Sequence, residues 1–382
     1  MKGIVICANS YLQYKNALYI ATRNYQKYPI TILVPGNDDL FKFFKVINEK
    51  LFHNDIKLIY LEAFHPDPRR AEASGLKRIF YILPDIIRQR QHQKKSFNEY
   101  LAGIEEADVY FFDRGLNNFP LVKKLRKRNR LIYISSYSVE VTSREYSPAS
   151  IADWARLMIH KLTYGGGIAL GELPYEKGFP HMSAKFLEKE VDRVIDGEER
   201  DEMMRDFDLS QFKIFDAGKH HVIYFFDDIS AYARDKNTFK RELIEIFDIL
   251  NKHFPENEIA RKYHPNYPMN ETWVNIGDVL PDFIPAELLY NENVKIYLSG
   301  YSTAIANVEK GLAVSIIDLI SFSDEQIRST LKEIVGRMGH TKILFPKSLQ
   351  EFEKILVGLR SIGKSNTKGE GTSLPMQRKE IK

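Results

Sequence analysis

The sequence has almost no cysteine, no apolar run long enough to span a membrane, and little net charge. Cys7 is the only cysteine among 382 residues, which excludes an intramolecular disulfide and a cysteine-based zinc cluster. It lies in the apolar run 4–8, which is typical of a buried strand, so we do not expect thiol catalysis. That run is too short for a signal sequence, and none approaches the roughly 20 apolar residues that cross a bilayer. We therefore expect a cytoplasmic protein.

Basic residues are concentrated in two segments although the net charge is only +4. Residues 76–95 mix Phe, Tyr, Ile and Leu with Lys and Arg, and residues 123–130 are almost entirely basic. Such segments suit an anionic partner, which we take to be a membrane surface or a charged glycan rather than a nucleic acid. The alternative is a solvated helix face whose side-chain stems cover the core.

Short apolar runs alternate with helical patterns in the first part of the chain, which predicts a parallel sheet with helices on both faces. The predicted strands are 3–8, 29–34, 56–61, 109–112 and 131–135. The predicted helices are 13–25, 39–51 and 119–127, with one or two more in 69–101. We also predict a helix over 147–171 that ends in Gly165–Gly167, followed by a charged helical region over 184–208.

A second alternating series begins at His220. It consists of strands 220–226, 258–263, 294–298, 313–319 and 343–345, with helices over 240–254, 286–290, 302–311, 324–338 and 349–359. The two series predict two Rossmann-like halves, an α/β fold. We assign the N-terminal half to 1–175, a connection to 176–219 and the C-terminal half to 220–362. The polar, basic tail 363–382 is predicted to be disordered.

The sequence offers little for a metal or a dinucleotide. His220 and His221 are adjacent in a predicted strand, so their rings point to opposite faces and cannot chelate one ion together. No Walker-type phosphate loop occurs, and Gly165–Gly167 follows a helical pattern, which is the wrong context for a dinucleotide fingerprint. We therefore expect neither a metal nor another cofactor.

The segment Ser299–Thr303 joins a predicted strand to a predicted helix. Gly300 there would let backbone amides approach a ligand, and the hydroxyls of Ser302 and Thr303 would add donors at the positive end of the helix dipole. This pattern indicates a phosphate seat. The alternative is that Ser302 or Thr303 only caps the helix.

His264 follows the predicted strand 258–263 and precedes Pro265, which stops regular strand pairing. The histidine is therefore expected at the carboxyl end of a strand, where ligands of parallel sheets bind. There it could bind or protonate a phosphate leaving group. A loop histidine without any function would give the same pattern.

Taken in order, Lys262–Pro265, Pro285–Glu287 and Gly300–Thr303 resemble motifs of the bacterial sialyltransferases, in particular the lipooligosaccharide sialyltransferase and capsular polysialyltransferase group. In those enzymes an H-P dipeptide, a P-x-E segment and a hydroxyl pair follow one another in the nucleotide-binding domain. The resemblance covers about residues 220–320. It implies a GT-B fold, with two Rossmann-like domains facing a central cleft, the acceptor on the first and the CMP-sugar on the second.

The resemblance also implies roles for individual residues. His264 would contact the CMP phosphate and assist its departure, with Pro265 completing the dipeptide. Lys262 would lie beside the cytosine, and Glu287 would accept hydrogen bonds from the ribose. Ser302 and Thr303 would hold the phosphate next to Gly300, although many relatives carry a second serine where this chain has Thr303.

The general base departs from the family pattern, because the expected acidic-acidic-glycine triplet does not follow the strand 131–135. Two carboxylates remain as candidates. Glu140 lies in the loop after that strand, and Asp228 follows the strand 220–226.

These observations favour an inverting glycosyltransferase that moves sialic acid or a related nonulosonic acid from a CMP donor to a cell-surface glycan of the lipooligosaccharide or capsule kind. The acceptor would be an oligosaccharide or a lipid-linked glycan, with the enzyme held peripherally on the inner face of the membrane. One alternative is a GT-B transferase that uses another nucleotide sugar. Another is a non-catalytic glycan-binding or assembly protein with the same two-domain shell, which the missing triplet favours.

Overall fold

The structure is a computed structural model, and the account below concerns the residues that it describes. These are 3–10, 13–62, 68–69, 75–112, 118–135, 142–145, 154, 158, 168–173, 176–182, 184–207, 212, 218–264, 276–306, 308, 310–337 and 341–365.

The chain forms two compact units, residues 1–212 and 213–382. The first contains a six-stranded parallel sheet of order β3-β2-β1-β4-β5-β9. Its strands are β1 Ile4–Cys7, β2 Ile30–Pro35, β3 Lys57–Leu61, β4 Asp108–Phe111, β5 Arg130–Ile134 and β9 Arg193–Ile195. Its helices are α1 Tyr14–Asn24, α2 Asp38–Phe52, α3 Gly75–Tyr100, α4 Phe119–Arg126, α5 Ala184–Glu190 and α6 Gly197–Met203. The predicted connection 176–219 therefore contributes β9 to the first sheet.

A small antiparallel sheet interrupts this unit between β5 and β9. It has the order β6-β7-β8, with β6 at Thr142–Glu145, β7 at Ile168–Leu173 and β8 at Glu176–Met182. The prediction of a helix over 147–171 is wrong at its end, because residues from Ile168 onward pair with both neighbouring strands. Most of residues 147–167 lie outside the described part of the chain.

The second unit repeats the parallel architecture, with the order β12-β11-β10-β13-β14-β15. Its strands are β10 Val222–Phe225, β11 Ile259–Lys262, β12 Asp278–Leu280, β13 Ile296–Ser299, β14 Leu312–Ser315 and β15 Ile343–Leu344. Its helices are α7 Lys236–His253, α8 Glu325–Arg337 and α9 Leu349–Ser365. The predicted α/β fold with two Rossmann-like halves is confirmed. Helix α9 runs to Ser365, into the predicted tail, and residues 366–382 lie outside the described part.

The segment after β13 is not the helix predicted over 302–311. Its described residues form one 3-10 turn at Thr303–Ile305, and β14 begins at Leu312. Gly311 adopts a left-handed φ of 87° and turns the chain into β14. A single turn carries no helix dipole of useful size, so the dipole argument for a phosphate seat fails.

Each unit buries its own apolar core. In the second unit, Tyr224, Ile296 and Leu298 from the sheet pack with Leu243 and Phe352 from the covering helices. In the first, Val109, Phe111 and Tyr133 pack with Leu121 and Leu187. Because strands buried on both faces read as nearly continuous apolar runs, the sequence showed them clearly.

The basic segment 76–95 lies within one continuous helix, α3, which passes through Pro84. The side chains of residues 75–83 lie outside the described set. Farther along, Ile87 is exposed and Arg88 pairs with the buried Asp85 at 2.7 Å. Over the described residues, no helix is long and apolar enough to cross a membrane.

We predict that Gly277→Ala destabilises the second unit. Gly277 has a φ of 64°, and an added Cβ would lie 2.2 Å from the carbonyl oxygen of Ile259. The combined strain and overlap should lower the free energy of unfolding by about 3 kcal/mol, measured by urea denaturation. The matched control is Gly358→Ala in α9, where an added Cβ meets nothing within 4 Å. The control should be neutral or stabilising by about 0.5–1 kcal/mol, and equal effects for both variants would contradict the prediction.

Candidate functional site

The register of the second sheet brings three chain segments to the same level at its carboxyl edge. Phe225 pairs with Lys262 on one side and with Ser299 on the other. Asp227, His264 and Tyr301 each come two residues later and therefore lie level on three adjacent segments. The sheet order reverses between β10 and β13, and ligands of open α/β sheets bind in the crevice at such a point.

The Asp227 carboxylate bridges the ends of β10 and β13. Its Oδ2 accepts hydrogen bonds from the backbone amides of Tyr301 at 2.8 Å and Ser302 at 3.0 Å, and from the Ser299 hydroxyl at 3.2 Å. Its Oδ1 accepts from the amide of Ile229 at 3.2 Å. From the sequence, we expected backbone amides of this segment to bind a phosphate. The amides of Tyr301 and Ser302 instead donate to the carboxylate of Asp227.

Gly300 is required by the close approach of this carboxylate. A Cβ at residue 300 would lie 2.7 Å from Asp227 Oδ1 and 2.7 Å from Cδ1 of Ile229. The backbone carbonyl of Gly300 also accepts a hydrogen bond from the buried Ser315 hydroxyl. Gly300 was predicted to let the backbone approach an anion closely. Here that anion is the carboxylate of Asp227.

Burial raises the pKa of Asp227 to about 6, and the four hydrogen bonds only partly offset this effect. Desolvation disfavours the ionised carboxyl, whereas donors directed at it favour the ion. Near pH 6 the bridge therefore changes between its charged and neutral forms. Asp227 is thus a titratable group that is hydrogen-bonded to the 299–302 turn.

His264 lies half-buried directly after β11, as predicted. Burial is the main cause that lowers its pKa, and the neighbouring Lys262 adds to the effect. At neutral pH the ring is therefore uncharged and presents one N–H donor and one acceptor. An oxyanion bound beside it would favour the protonated ring and raise its pKa.

Lys262 is 5% exposed, and its ammonium group donates to the carbonyl oxygens of Tyr263 and Asp282, both at 3.1 Å. These bonds join the carboxyl ends of β11 and β12. Beside them, the rings of Phe226 and Tyr263 stack with centroids 4.6 Å apart. The lysine is thus a fixed positive charge behind His264, and its hydrogen bonds brace the strand ends.

The other predicted residues are only partly described. Glu287 is exposed at the start of the 3-10 turn Ala286–Leu289, and the Ser302 hydroxyl accepts a hydrogen bond from the amide of Ala304 at 3.2 Å. The backbones of Thr303 and Asp228 lie in 3-10 turns, but their side chains are not described. Pro265 and Glu140 lie outside the described residues.

The first unit has a polar cluster that the sequence did not reveal. At the carboxyl end of β1, the Gln13 side chain accepts from the amide of Asn9 at 2.9 Å, and the Asn9 side chain lies 3.4 Å from that of Asn118. Gln13 and Asn118 are buried, and Asn37 donates to the backbone of Asn9. Asn118 is 109 residues from Asn9 in the sequence, so no local pattern could have shown that these amides lie together.

No group of three metal-ligating side chains occurs among the described residues. The two adjacent histidines just before β10 contact different carboxylates. His220 Nε2 lies 2.9 Å from Asp278, and His221 Nδ1 lies 2.8 Å from Glu258. Each histidine is thus explained by an ion pair or hydrogen bond between neighbouring segments.

We predict that Asp227 gives the protein a stability component that is largest in acid. Because its folded pKa of about 6 exceeds the ordinary aspartate value of 3.8, this component is fully present below pH 3.8 and is lost as the pH rises through 6. The shift corresponds to about 3 kcal/mol. The unfolding free energies of the wild type and of Asp227→Asn are compared from pH 7 to pH 4. Over this range the wild type should gain about 3 kcal/mol of stability relative to the variant. A pH-independent difference would contradict the prediction.

No protein-family model and no curated protein sequence matches the chain. Solved structures do align with it over most of its length. The glycotransferase of kitacinnamycin is 10% identical, covers 94% of this chain and 91% of its own, and has a TM-score of 0.42. Arabidopsis thaliana UGT89C1 in complex with UDP-L-rhamnose is 10% identical, covers 96% and 94%, and has a TM-score of 0.36.

An alpha,alpha-trehalose-phosphate synthase (UDP-forming) from Burkholderia vietnamiensis is 9% identical, covers 95% and 92%, and has a TM-score of 0.28. At these TM-scores the likenesses carry no argument about ligand or reaction. Two of the three are named as UDP-linked enzymes and none as a sialyltransferase, so they lend no support to the resemblance between the motifs and the CMP-dependent group.

Proposed function

We propose that the protein is a glycosyltransferase that binds a nucleotide-sugar donor at the carboxyl edge of its second sheet. The main support is the position of His264, half-buried on the segment beside the Asp227 bridge at the point where the strand order reverses. A crevice of this kind suits a nucleotide. The tandem of two Rossmann-type units agrees with a GT-B enzyme that binds donor and acceptor on different units.

The proposed reaction is a displacement with inversion at the anomeric carbon. An acceptor hydroxyl attacks that carbon and loses its proton to a carboxylate, for which Asp228 and Glu140 remain the candidates. The bond between the anomeric carbon and the phosphate oxygen breaks, and the phosphate leaves with the electron pair. His264 donates a hydrogen bond to the departing phosphate and becomes protonated more readily as negative charge develops there.

The donor that we propose is a CMP-linked acidic sugar, because the ordered motifs at Lys262–Pro265, Pro285–Glu287 and Gly300–Thr303 match CMP-dependent enzymes. In that case Ser302 and Thr303 supply hydroxyl donors to the phosphate in place of the amides that Asp227 occupies. The competing proposal is a donor linked to another nucleotide such as UDP. A nucleotide-binding experiment decides between them.

A second candidate is a glycan-binding protein without catalysis. Two observations favour it. The sequence lacks the acidic triplet of the related enzymes, and the amides of Tyr301 and Ser302 already hold an internal anion. Such a protein would bind sugar without releasing nucleotide, so hydrolysis or transfer of the donor separates the two proposals.

For the acceptor, we propose the amide cluster of the first unit. Side-chain amides both donate and accept hydrogen bonds, which suits the hydroxyl groups of a neutral sugar. Asn9, Gln13 and Asn118 would thus bind part of an oligosaccharide or lipid-linked glycan. The cluster lies where the order of the first sheet reverses, which is the equivalent position to the donor site in the second.

We predict that CMP raises the melting temperature and raises the pKa of His264, measured by NMR titration of its ring. His264→Ala should lower the rate of transfer by about 100-fold or more, as expected for loss of a group that assists leaving-group departure. His53→Ala, at an exposed position in the first unit, is the control and should leave the rate unchanged. Stabilisation by UDP but not CMP would replace the proposed donor, and no response of His264 to any nucleotide would contradict the site.

We also propose peripheral attachment to an anionic membrane through α3. The helix carries Arg88, Arg90, Lys94 and Lys95, and each basic residue near an anionic surface contributes roughly 1 kcal/mol. Co-sedimentation with vesicles containing phosphatidylserine should therefore fall with salt and weaken when these four residues become Gln. Neutralising Lys236, Lys240, Lys252 and Lys310 in the second unit is the matched control. Binding to neutral vesicles alone, or no binding at low salt, would contradict the proposal.

A further inference from the structure

Residues 281–291 belong to the loop between β12 and β13 and carry Glu287 in a 3-10 turn. The apolar side chains of Ile284, Leu288 and Leu289 are buried, whereas Glu287 is exposed. Because the apolar neighbours gain free energy by leaving water, they hold the turn against the second unit while its carboxylate faces outward. We call residues 281–291 the bridging segment.

The start of the bridging segment is tied to the chain segment that carries His264. The ammonium group of Lys262 donates to the carbonyl oxygen of Asp282 at 3.1 Å, and His264 follows Lys262 by two residues. A hydrogen bond from a charged donor is stronger than one between neutral groups. This contact therefore holds the first residues of the bridging segment beside the end of β11.

The end of the bridging segment is tied to the turn that follows β13. The hydroxyl of Tyr290 donates to the carbonyl oxygen of Ala304. The amide of Ala304 in turn donates to the hydroxyl oxygen of Ser302 at 3.2 Å. A serine hydroxyl has a donor hydrogen besides its lone pairs, so Ser302 can accept from Ala304 and still donate to a ligand. Tyr290 thus contacts the residue that orients the Ser302 hydroxyl.

The position of Tyr290 is itself fixed by β13. Its ring meets the ring of Tyr297 edge-to-face, with centroids 5.4 Å apart. The buried Tyr297 hydroxyl accepts from the amide of Asn291 at 2.7 Å and donates to the carbonyl oxygen of the same residue at 3.1 Å. A side chain held by packing and by a hydrogen-bonded neighbour can place its polar group accurately. The Tyr290 hydroxyl meets both conditions.

We propose that Tyr290 is a positioning residue of the donor site, which holds the Ser302 hydroxyl in a fixed relation to Glu287. This inference rests on the proposed function, in which Glu287 binds the ribose and Ser302 the phosphate of one nucleotide. The bridging segment then joins the carboxylate to the hydroxyl through Tyr290, and it joins both to the His264 segment through Lys262. A ligand that carries both ribose and phosphate gains from this preorganised spacing, whereas a nucleoside does not.

The test removes only the hydroxyl of Tyr290, with Tyr290→Phe in the full chain. CMP and UDP are titrated by calorimetry beside cytidine and uridine, at a temperature at which every variant is folded. The variant should weaken the nucleotide that binds the wild type by about 3- to 10-fold, as for one lost hydrogen bond, and its nucleoside by less than about twofold. The control is Tyr28→Phe, at an exposed tyrosine of the first unit, which should change neither affinity.

A double-mutant cycle tests whether Tyr290 acts through Ser302. Ser302→Ala alone should weaken nucleotide binding. Adding Tyr290→Phe should then cost less than about twofold more, because the hydroxyl that Tyr290 positions is already absent. Two losses that multiply in full would overturn the proposal. An equal loss for nucleotide and nucleoside in Tyr290→Phe would also overturn it, since the hydroxyl would then support only the fold.

The outcomes separate this proposal from the function on which it rests. If the wild type binds neither nucleotide, the proposed function fails and the positioning role fails with it. If the wild type binds a nucleotide and Tyr290→Phe binds it equally well, the positioning role fails alone. A selective loss of nucleotide affinity that disappears in the Ser302→Ala background supports both.

Discussion

The structure of the candidate site depends on one half-buried carboxylate at the ends of two neighbouring strands. Asp227 gathers the amides of Tyr301 and Ser302 and so fixes the path of the chain after β13. The same contact explains the absence of a side chain at residue 300. Because charge-assisted hydrogen bonds to backbone amides are strong, this anion organises the edge of the sheet before any ligand arrives.

Much of the fold could be predicted because each strand and helix leaves a recognisable pattern within a short stretch of sequence. Strands buried on both faces read as apolar runs, and helices that cover them show one apolar stripe, so the alternation of the two indicated parallel sheets. The position of His264 at a strand end followed from the predicted strand 258–263 and from Pro265 after it. The three-stranded antiparallel sheet was missed because its strands are recognisable only through their partners, and Ile168–Leu173 gave no strong local pattern.

The site was predicted less well because the residues that contact one another there are far apart in the sequence. The bond between Asp227 and Tyr301 spans 74 residues, so no window of sequence could show that the amides after β13 were already engaged. The spacing within 302–311 favoured a helix, yet tertiary hydrogen bonding left only the 3-10 turn Thr303–Ile305. Hydroxyls and a glycine therefore indicated the carboxyl end of β13 correctly but predicted the wrong local structure after it.

The amides at the strand reversal of the first sheet have a consequence for how the protein responds to acidity. Asn9, Gln13 and Asn118 neither gain nor lose protons in the physiological range, so their hydrogen-bonding pattern is the same in a neutral and in a mildly acidic compartment. The second sheet differs, since burial brings the pKa of Asp227 to about 6. Acidification thus acts on the Asp227 bridge and leaves the hydrogen bonds among these three amides unchanged, and a ligand held by the amides alone would not sense it.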